Sequence, residues 1–306
     1  MVSKVAGRQA IGAGHAPLDQ ASGRRQTRRL ADFWRLYARS TGAVVGAVIL
    51  VALIALTATA RWIEPYDPIG VAPKEARQAP SGEHWFGTDQ YGRDVLSRVI
   101  DGAHISLEMG LAAVVISLFC GTILGLVAGY SEGLPDSLIM RFVDMLLAFP
   151  GILLALAIVA ALGASLTNVI LAVGIGTIPV YARVVRGTVL STKQEPYVEA
   201  ARVIGCSGWR VALRHILPNI TAPVLVLATI GVAYSILNGS ALSFLGLGVQ
   251  PPGAEWGLMV AEGKSYLRDA WWITTAPGLA LAVTVLAMNL VGDGLRDAFD
   301  PRTRRR

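Results

Sequence analysis

The sequence predicts an all-α membrane protein with six transmembrane helices, and three observations carry that prediction. Of the 306 residues, 53% are hydrophobic and only 16% charged, whereas an ordinary soluble domain is about 45–50% apolar and about 25% charged. The charges are missing from five long stretches. The Lys and Arg that remain alternate between connections, 20 in one set and 7 in the other. A soluble enzyme of this length needs a charged surface that this chain does not have, so that class is excluded. Two cysteines, Cys120 and Cys206, exclude a disulfide scaffold and a cysteine-based zinc site.

Residues 1–30 are rich in Gly, Ala, Arg and Gln and poor in large apolar side chains, which predicts a disordered basic cytoplasmic tail. Its Arg24, Arg25, Arg28 and Arg29 suit contact with anionic lipid. Residues 42–60 carry no charge, lie between Arg39 and Arg61, and form the first span. Ala58-Thr59-Ala60 resembles a signal-peptidase site, but the apolar run is long and too much chain precedes it for a cleaved leader. With the outer segment that follows, this span makes a unit over residues 31–104. Within it, Val95, Leu96, Val99 and Ile100 share one helical face, with Asp94 and Arg98 at i, i+4 beside them. That pattern predicts a helix over 93–105, lying on the membrane surface, packed over the mouth of a path, or simply re-entering ahead of the second span.

Residues 105–302 form a five-helix core. Its first span, 108–130, opens at Glu108 and repeats glycine at 121, 125 and 129, as Gly42 and Gly46 do earlier. Such stripes let helix backbones approach closely in lipid. The gap at 145–182 is 38 residues long, room for two spans, 142–162 and 167–183. Gly163, Ala164, Ser165, Thr167 and Asn168 supply the turn between them. Arg141 and Asp144, at i, i+3, are expected to pair at the cytoplasmic interface. The fifth span, 220–244, ends before Gly246, Gly248, Pro251, Pro252 and Gly253, and the sixth covers 272–292. Pro150, Pro179 and Pro277 are expected to kink or interrupt their spans. A short basic tail, 303–306, closes the chain.

Basic residues fix the orientation. Segments 1–41, 131–144, 183–219 and 293–306 hold the 20, so both termini are expected in the cytoplasm. The net charge of +6 resolves into +10 on that side, −3 on the outer side and −1 from Glu108. It reports orientation and lipid contact and calls for no nucleic-acid partner.

The spans lack the chemistry of a self-sufficient carrier. No chain of carboxylates or histidines crosses them, and the histidines, at 15, 84, 104 and 215, fall outside. No metal-ligand spacing and no nucleophile–base pair is present, so no catalytic residue and no metal site is expected. Gly257…Gly263-Lys264-Ser265 is not a phosphate loop, because five residues separate its glycines where four are required. The energy source is therefore expected in a partner.

The segment that points to such a partner is Tyr197–Asn219. Pro196 suits a helix start, Glu199, Ala200, Ala201 and Arg202 are strong helix formers, and Gly205 can stop the helix with a positive φ. Ser207 can cap a second helix through Trp209, Val211, Leu213 and Ile216, limited by Pro218. A short small-residue helix of this kind suits insertion into a groove of another protein.

Here the residues carry a resemblance. Glu199-Ala200-Ala201, three residues, Gly205, then Leu217-Pro218 resembles the EAA loop of permease subunits in bacterial ABC importers, with His215 where the consensus has Ile. HWFGTDQYGRDVLSRVIDGAHISL (84–107), MRFVDMLLAFPGILLALAI (140–158), LSFLGLGVQPPGAEWGLMVAEG (242–263) and NLVGDGLRDAFDPR (289–302) are similar to the second, "C-type" permease of the peptide/nickel branch. The resemblance covers about residues 30–302. It implies a type I ABC importer permease fold with a cytoplasmic coupling helix between helices 4 and 5, multi-pass in the bacterial cytoplasmic membrane. It also implies ATPase-coupling roles for Glu199, Ala200, Ala201, Arg202, Gly205, Leu217 and Pro218, and an outer signature at Gly87, Thr88, Asp89, Gly92, Arg93 and Asp94. Arg202 and Arg210 are candidates to meet acidic ATPase residues.

The implied partners are a second permease subunit in a heterodimer, one or two ATP-binding subunits, and an extracytoplasmic substrate-binding protein. ATP and Mg would be bound by the ATPases and no cofactor by this chain. The implied cargo is a short peptide (dipeptide or oligopeptide), with nickel or another chelate, or a self-sufficient secondary carrier, as alternatives. Two positions depart from the family pattern. His104 stands where Arg is usual, and Gly239 where an acidic residue is usual, which would alter substrate preference if that carboxylate faces the path.

Overall fold

The computed structural model describes residues 34–299. The tails expected at 1–30 and 303–306, with Arg24, Arg25, Arg28 and Arg29, lie outside the described residues. The first described residues, 34–39, are helical (α1). They are followed by α2 (Thr41–Ile63), α3 (Val95–Ser131), α4 (Gly133–Leu147), α5 (Gly151–Leu162) and α6 (Leu166–Thr192). Then come α7 (Pro196–Val203), α8 (Gly208–Val211), α9 (Leu217–Phe244), α10 (Trp256–Gly263) and α11 (Trp272–Phe299). Helices α2, α3, α6 and α11, and a continuous rod over Gly208–Phe244, are long and apolar enough to cross a membrane. The pair α4 and α5, counted as one broken span, makes a sixth.

That sixth span corrects the expectation of one helix over 142–162, because α4 and α5 meet at 87°. Pro150 has no N–H to continue the ladder and pushes Phe149 out of helical geometry. Pro179 and Pro277, by contrast, lie inside helices that continue past them. A second correction concerns 93–105. It is not a separate surface helix but the start of α3, which runs 37 residues to Ser131. Asp94 caps it by accepting from the Ser97 N–H at 2.8 Å, and no proline interrupts the ladder before the bilayer.

Helix α3 is the axis of the molecule, and its glycines set how near α6 comes. A Cβ at Gly125 would stand 2.5 Å from the Ala182 carbonyl oxygen and 2.7 Å from Val185 Cβ, and one at Gly129 would stand 2.9 Å from Val189 Cβ. Gly46 plays the same part between α2 and α11, 2.8 Å from the Ala287 carbonyl oxygen. In lipid, such contacts replace the hydrophobic drive that water supplies. Gly125→Ala is expected to lower stability by about 1–3 kcal/mol through overpacking. Gly278→Ala, where a Cβ would meet nothing within 4 Å, should be neutral. Thermal unfolding of the two variants in detergent compares them directly.

The C-terminal half of α6 holds α4 through three ion pairs. Lys193 Nζ meets Glu132 at 2.7 Å, Arg186 grips Asp136 with two bonds of 2.6 Å, and Arg183 meets Asp144 at 2.6 Å. Asp144 therefore pairs across helices and not with Arg141 as its spacing predicted. The hydrogen bond and charge of Lys193 hold the Glu132 carboxyl below its ordinary range. This tie is present above the ordinary carboxylate pKa and is lost as pH falls through the lowered one.

Candidate functional site

Two surfaces gather the residues that the sequence singled out. On the first, the loop between α6 and α9, Pro196 starts α7, and Gly205 ends it at φ +85. The Cys206 N–H donates to the Ala201 carbonyl at 3.1 Å, which closes the turn as a Schellman cap. Nothing lies within 4 Å of a Cβ at Gly205, so backbone conformation alone selects glycine there. Val198 and Ala201 point inward and join Val185, Val189, Val211, Ile216 and Ile220 in one apolar cluster. The loop is thus fixed to the ends of α3, α6 and α9.

The outward face carries Glu199, Ala200 and Arg202, together with Val203, Ile204 and Trp209, which are 82%, 80% and 66% exposed. Sequence reasoning missed the pair Val203–Ile204. Its signal was two aliphatic residues directly before the stop glycine of a polar loop. Glu199 and Arg202 line a polar cavity of about 320 Å³ with Glu132 and Lys193. Arg202 lies over the Tyr130 ring at 5.8 Å, while Arg210 is exposed.

Pro218 does not limit the second helix as its chemistry predicted. The backbone widens into a π-helical stretch, Ala212–Ile216, and the Leu217 N–H reaches back to the Ala212 carbonyl. This wide turn absorbs the donor that Pro218 lacks, and Asn219 Nδ2 donates to the His215 carbonyl at 2.6 Å. Leu217 packs against the same apolar cluster, and Pro218 is exposed.

At the opposite end of the molecule, the signature expected at 87–94 is a buried charged knot. Gly87 and Gly92 take positive φ, 71° and 79°. A Cβ at Gly92 would collide with the Ala72 carbonyl, and one at Gly87 would stand 2.5 Å from the Gln78 oxygen. These turns fold residues 72–94 back on themselves, with Thr88 and Asp94 in a single antiparallel bridge. Asp89 Oδ1 accepts from the Tyr91 and Arg93 N–H groups at 2.8 and 3.0 Å, and Oδ2 accepts from Arg93 Nε at 2.5 Å. Asp94 Oδ1 meets His84 Nδ1 at 2.9 Å, not Arg98 as the i, i+4 spacing predicted.

Arg98 instead turns to another part of the chain. Its guanidinium donates to the carbonyls of Pro68, Pro252 and Gly253 at 3.1, 3.3 and 3.4 Å and to Glu262 at 3.1 Å. Glu262 also receives Arg93 at 3.1 Å. Beside this knot, Glu255 is fully buried, capping α10 through the Gly257 and Leu258 N–H groups at 2.9 Å and accepting from Ser240 and Ser106. Trp272 Nε1 reaches the Thr88 carbonyl at 3.0 Å. The knot therefore joins the predicted outer signature to the 252–262 loop. The partners His84, Glu255 and Glu262 were not legible from spacing. Glu255 caps α10 although glutamate is not among the residues preferred at that position.

The two departures from the family pattern are also placed. His104 is exposed, 4.0 Å from Glu108. Gly239 faces α3, where a Cβ would stand 2.6 Å from Met109 Cε, so this position is a packing contact and not part of an open path.

Comparison with known proteins accords with this architecture. The family described as "Binding-protein-dependent transport system inner membrane component" matches residues 121–305, and "N-terminal TM domain of oligopeptide transport permease C" matches residues 29–80. The chain is 45% identical over 272 residues to the glutathione transport system permease protein GsiD of Pectobacterium atrosepticum, covering 89% of this chain and 90% of that one. It is 43% identical over 279 residues to the di/tripeptide transport system permease protein DppC of Pseudomonas aeruginosa, covering 89% and 92%. GsiD of Escherichia coli O6:K15:H31 is 48% identical over 272 residues, covering 89% and 90%. Among solved structures, an inward-facing MetNI methionine ABC transporter matches with TM-score 0.56 at 16% identity, covering 66% of this chain and 97% of that one. An amino acid ABC transporter solved with histidines matches at 0.52 and 15%, covering 69% and 95%. At such identity these structures speak for the fold. The chain belongs to the binding-protein-dependent transport system inner membrane components, and is a multi-pass permease subunit of the ABC importer class with the type I fold.

Proposed function

We propose that this chain forms the translocation path of an ATP-driven importer of short peptides, together with a second, related permease subunit. The observation that carries the cargo is the identity of 43–48%, over nine-tenths of the chain, with permeases named for glutathione and di/tripeptide transport. No relative cited here is named for nickel, so the chelate alternative is not favoured. Dependence on a binding protein, the family's defining property, likewise disfavours a self-sufficient carrier.

The coupling reading is that α7 and the Gly205 turn dock on one or two ATP-binding subunits, which hold ATP and Mg, while this chain catalyses no step and binds no cofactor. The exposed Val203, Ile204 and Trp209, flanked by Arg202 and Arg210, support it, because an apolar knob with a basic rim suits an interface core. The excess of basic residues in the 131–144 and 183–219 connections supports a cytoplasmic position for this loop and for both termini. An extracytoplasmic binding protein would deliver peptide to the outer side.

Reconstitution with the partner subunits and binding protein is expected to give ATP-dependent uptake of radiolabelled L-alanyl-L-phenylalanine. Uptake that ignores ATP depletion, or uptake of chelated nickel with none of peptide, would overturn this reading. Gly205→Pro removes the N–H that donates to the Arg202 carbonyl at 3.0 Å, and Glu199→Lys reverses a charge beside Lys193 and Arg202. Both variants are expected to insert normally and to lose uptake while the ATPase keeps its basal turnover. Normal uptake by either, with the ATPase still co-purifying, would show that this loop does not couple.

A further inference from the structure

An apolar groove of about 480 Å³ lies at the end of the molecule that carries the charged knot. Trp85 and Phe86, Val99 of α3 and the first three turns of α11 line it. On α11, Ala276, Leu279, Ala280 and Val283 fall at i, i+3, i+4 and i+7, which is one face of a helix. The two alanines hollow that face. Leu279 and Val283 are exposed, so the groove opens sideways and is no internal chamber. From Trp272 to Val283 is about 17 Å at the helical rise, a little over half of a hydrocarbon core about 30 Å thick. Helix α11 is a membrane span, and only 22% of its most apolar stretch is buried in protein. The groove therefore opens into one leaflet, and on the orientation proposed above that is the outer one.

Size and rim both point to lipid. Spread over its length, the volume gives a cross-section of roughly 30 Å², whereas a helix about 10 Å across fills roughly 80 Å². The groove suits a single hydrocarbon chain. At its mouth, Trp85 and Trp271 are exposed, and Trp271 meets Trp272 edge-on with ring centroids 6.1 Å apart. Tryptophan at the end of a span anchors it at the level where lipid chains meet headgroups. Exposed charges of both signs stand beside this rim in sequence. Arg77 and Glu83 flank Pro80, and Arg268 and Asp269 precede Trp271. Such a rim matches a zwitterionic headgroup, while no charged side chain lines the groove. A peptide in transit would leave its amides and termini unpaired there, since Thr275 supplies the one hydroxyl.

We infer that this groove binds one acyl chain of a zwitterionic phospholipid, with the headgroup at the rim of Trp85 and Trp271. A lipid so placed ties residues 80–86 to α11 across the groove. Moving a chain from bulk lipid into the groove gains no hydrophobic free energy. Retention therefore rests on packing against the aromatic rings and on the headgroup at the rim. The lipid site goes beyond the peptide reading and shares with it only the orientation.

The test uses the complex of both permeases and the ATPase in nanodiscs of phosphatidylethanolamine and phosphatidylglycerol. A trace of phosphatidylethanolamine carrying a diazirine near the end of one acyl chain is photoactivated, and labelled residues are mapped by mass spectrometry. Exposed Val48 and Val51 of α2 report the surrounding lipid. Label at 279–283 is expected at about fivefold their level, the size of one aromatic packing contact. Ala280→Phe fills the groove and should bring the two levels together, with Ala276→Phe as a second variant of the same kind. Equal labelling in the parent overturns the site. So does an excess that survives either substitution in a variant that unfolds at the parent's temperature. Label on the isolated chain that disappears in the complex gives the groove to the second permease, and label lost on adding L-alanyl-L-phenylalanine gives it to cargo. Both results overturn the lipid site. Peptide uptake does not enter the readout, so failure of the peptide reading leaves this test intact.

Discussion

Arg98→Met is expected to destabilise the outer cap by about 3–5 kcal/mol, the cost of breaking a buried ion pair by removing one partner. Arg98 is 1% exposed. Its loss leaves Glu262 and Asp89 with Arg93 alone, and strips donors from the carbonyls of Pro68, Pro252 and Gly253. Those carbonyls belong to two separate outer segments, so the loss should be felt as local opening. The readout is protease cleavage within residues 64–94 on intact cells or outward-facing vesicles, alongside thermal unfolding in detergent. Adding Glu262→Met should recover part of the loss, because a buried charge is then no longer left unpaired. If the single variant melts and resists protease like the parent, the knot is not what holds the cap.

Val203→Ser with Ile204→Ser is expected to abolish tight docking of the ATPase while leaving the isolated permease unchanged. Both side chains are at least 80% exposed, so their replacement removes little from the chain's own stability. Each would contribute about 1.5–3 kcal/mol if fully buried in a partner groove. Together they correspond to roughly a hundredfold or more in affinity, at about 1.4 kcal/mol per tenfold. Titration of the purified ATPase against the permease in nanodiscs measures this. Unchanged affinity would move the docking energy to Trp209 and the basic rim.

The spans were legible because lipid imposes one rule on every residue inside it, and a run without charge is a direct record of that rule. The stretch 145–182 declared two crossings on length alone, and its Pro150 declared the weak point. What the proline did not declare was a turn of 87°, since the angle depends on how α4 is held against α6 by Arg183 and Arg186. The close glycine contacts at 121, 125 and 129 followed from spacing, because i, i+4 positions share a helix face whatever the partner. Charged partners did not follow. Local spacing offered Asp94 to Arg98 and Arg141 to Asp144, yet the fold gives them His84, Glu262 and Arg183, from segments that meet only once the chain is packed. Val203 and Ile204 did not stand out, because exposure cannot be told from a pattern of eight residues.

The helical run from Gly208 to Phe244 joins the Gly205 loop to the loop at the opposite end, with the π turn at Ala212–Ile216 as its one wide point. At 37 residues it is about 55 Å long. Viewed as a lever, it converts small rotations into long strokes. A tilt of about 10° about its outer end sweeps its base through about 10 Å, on the length given by helical rise. If the Gly205 turn is where an ATPase pushes, the π turn at Ala212–Ile216 is the joint next to it, and Leu217–Phe244 carries the motion across the bilayer.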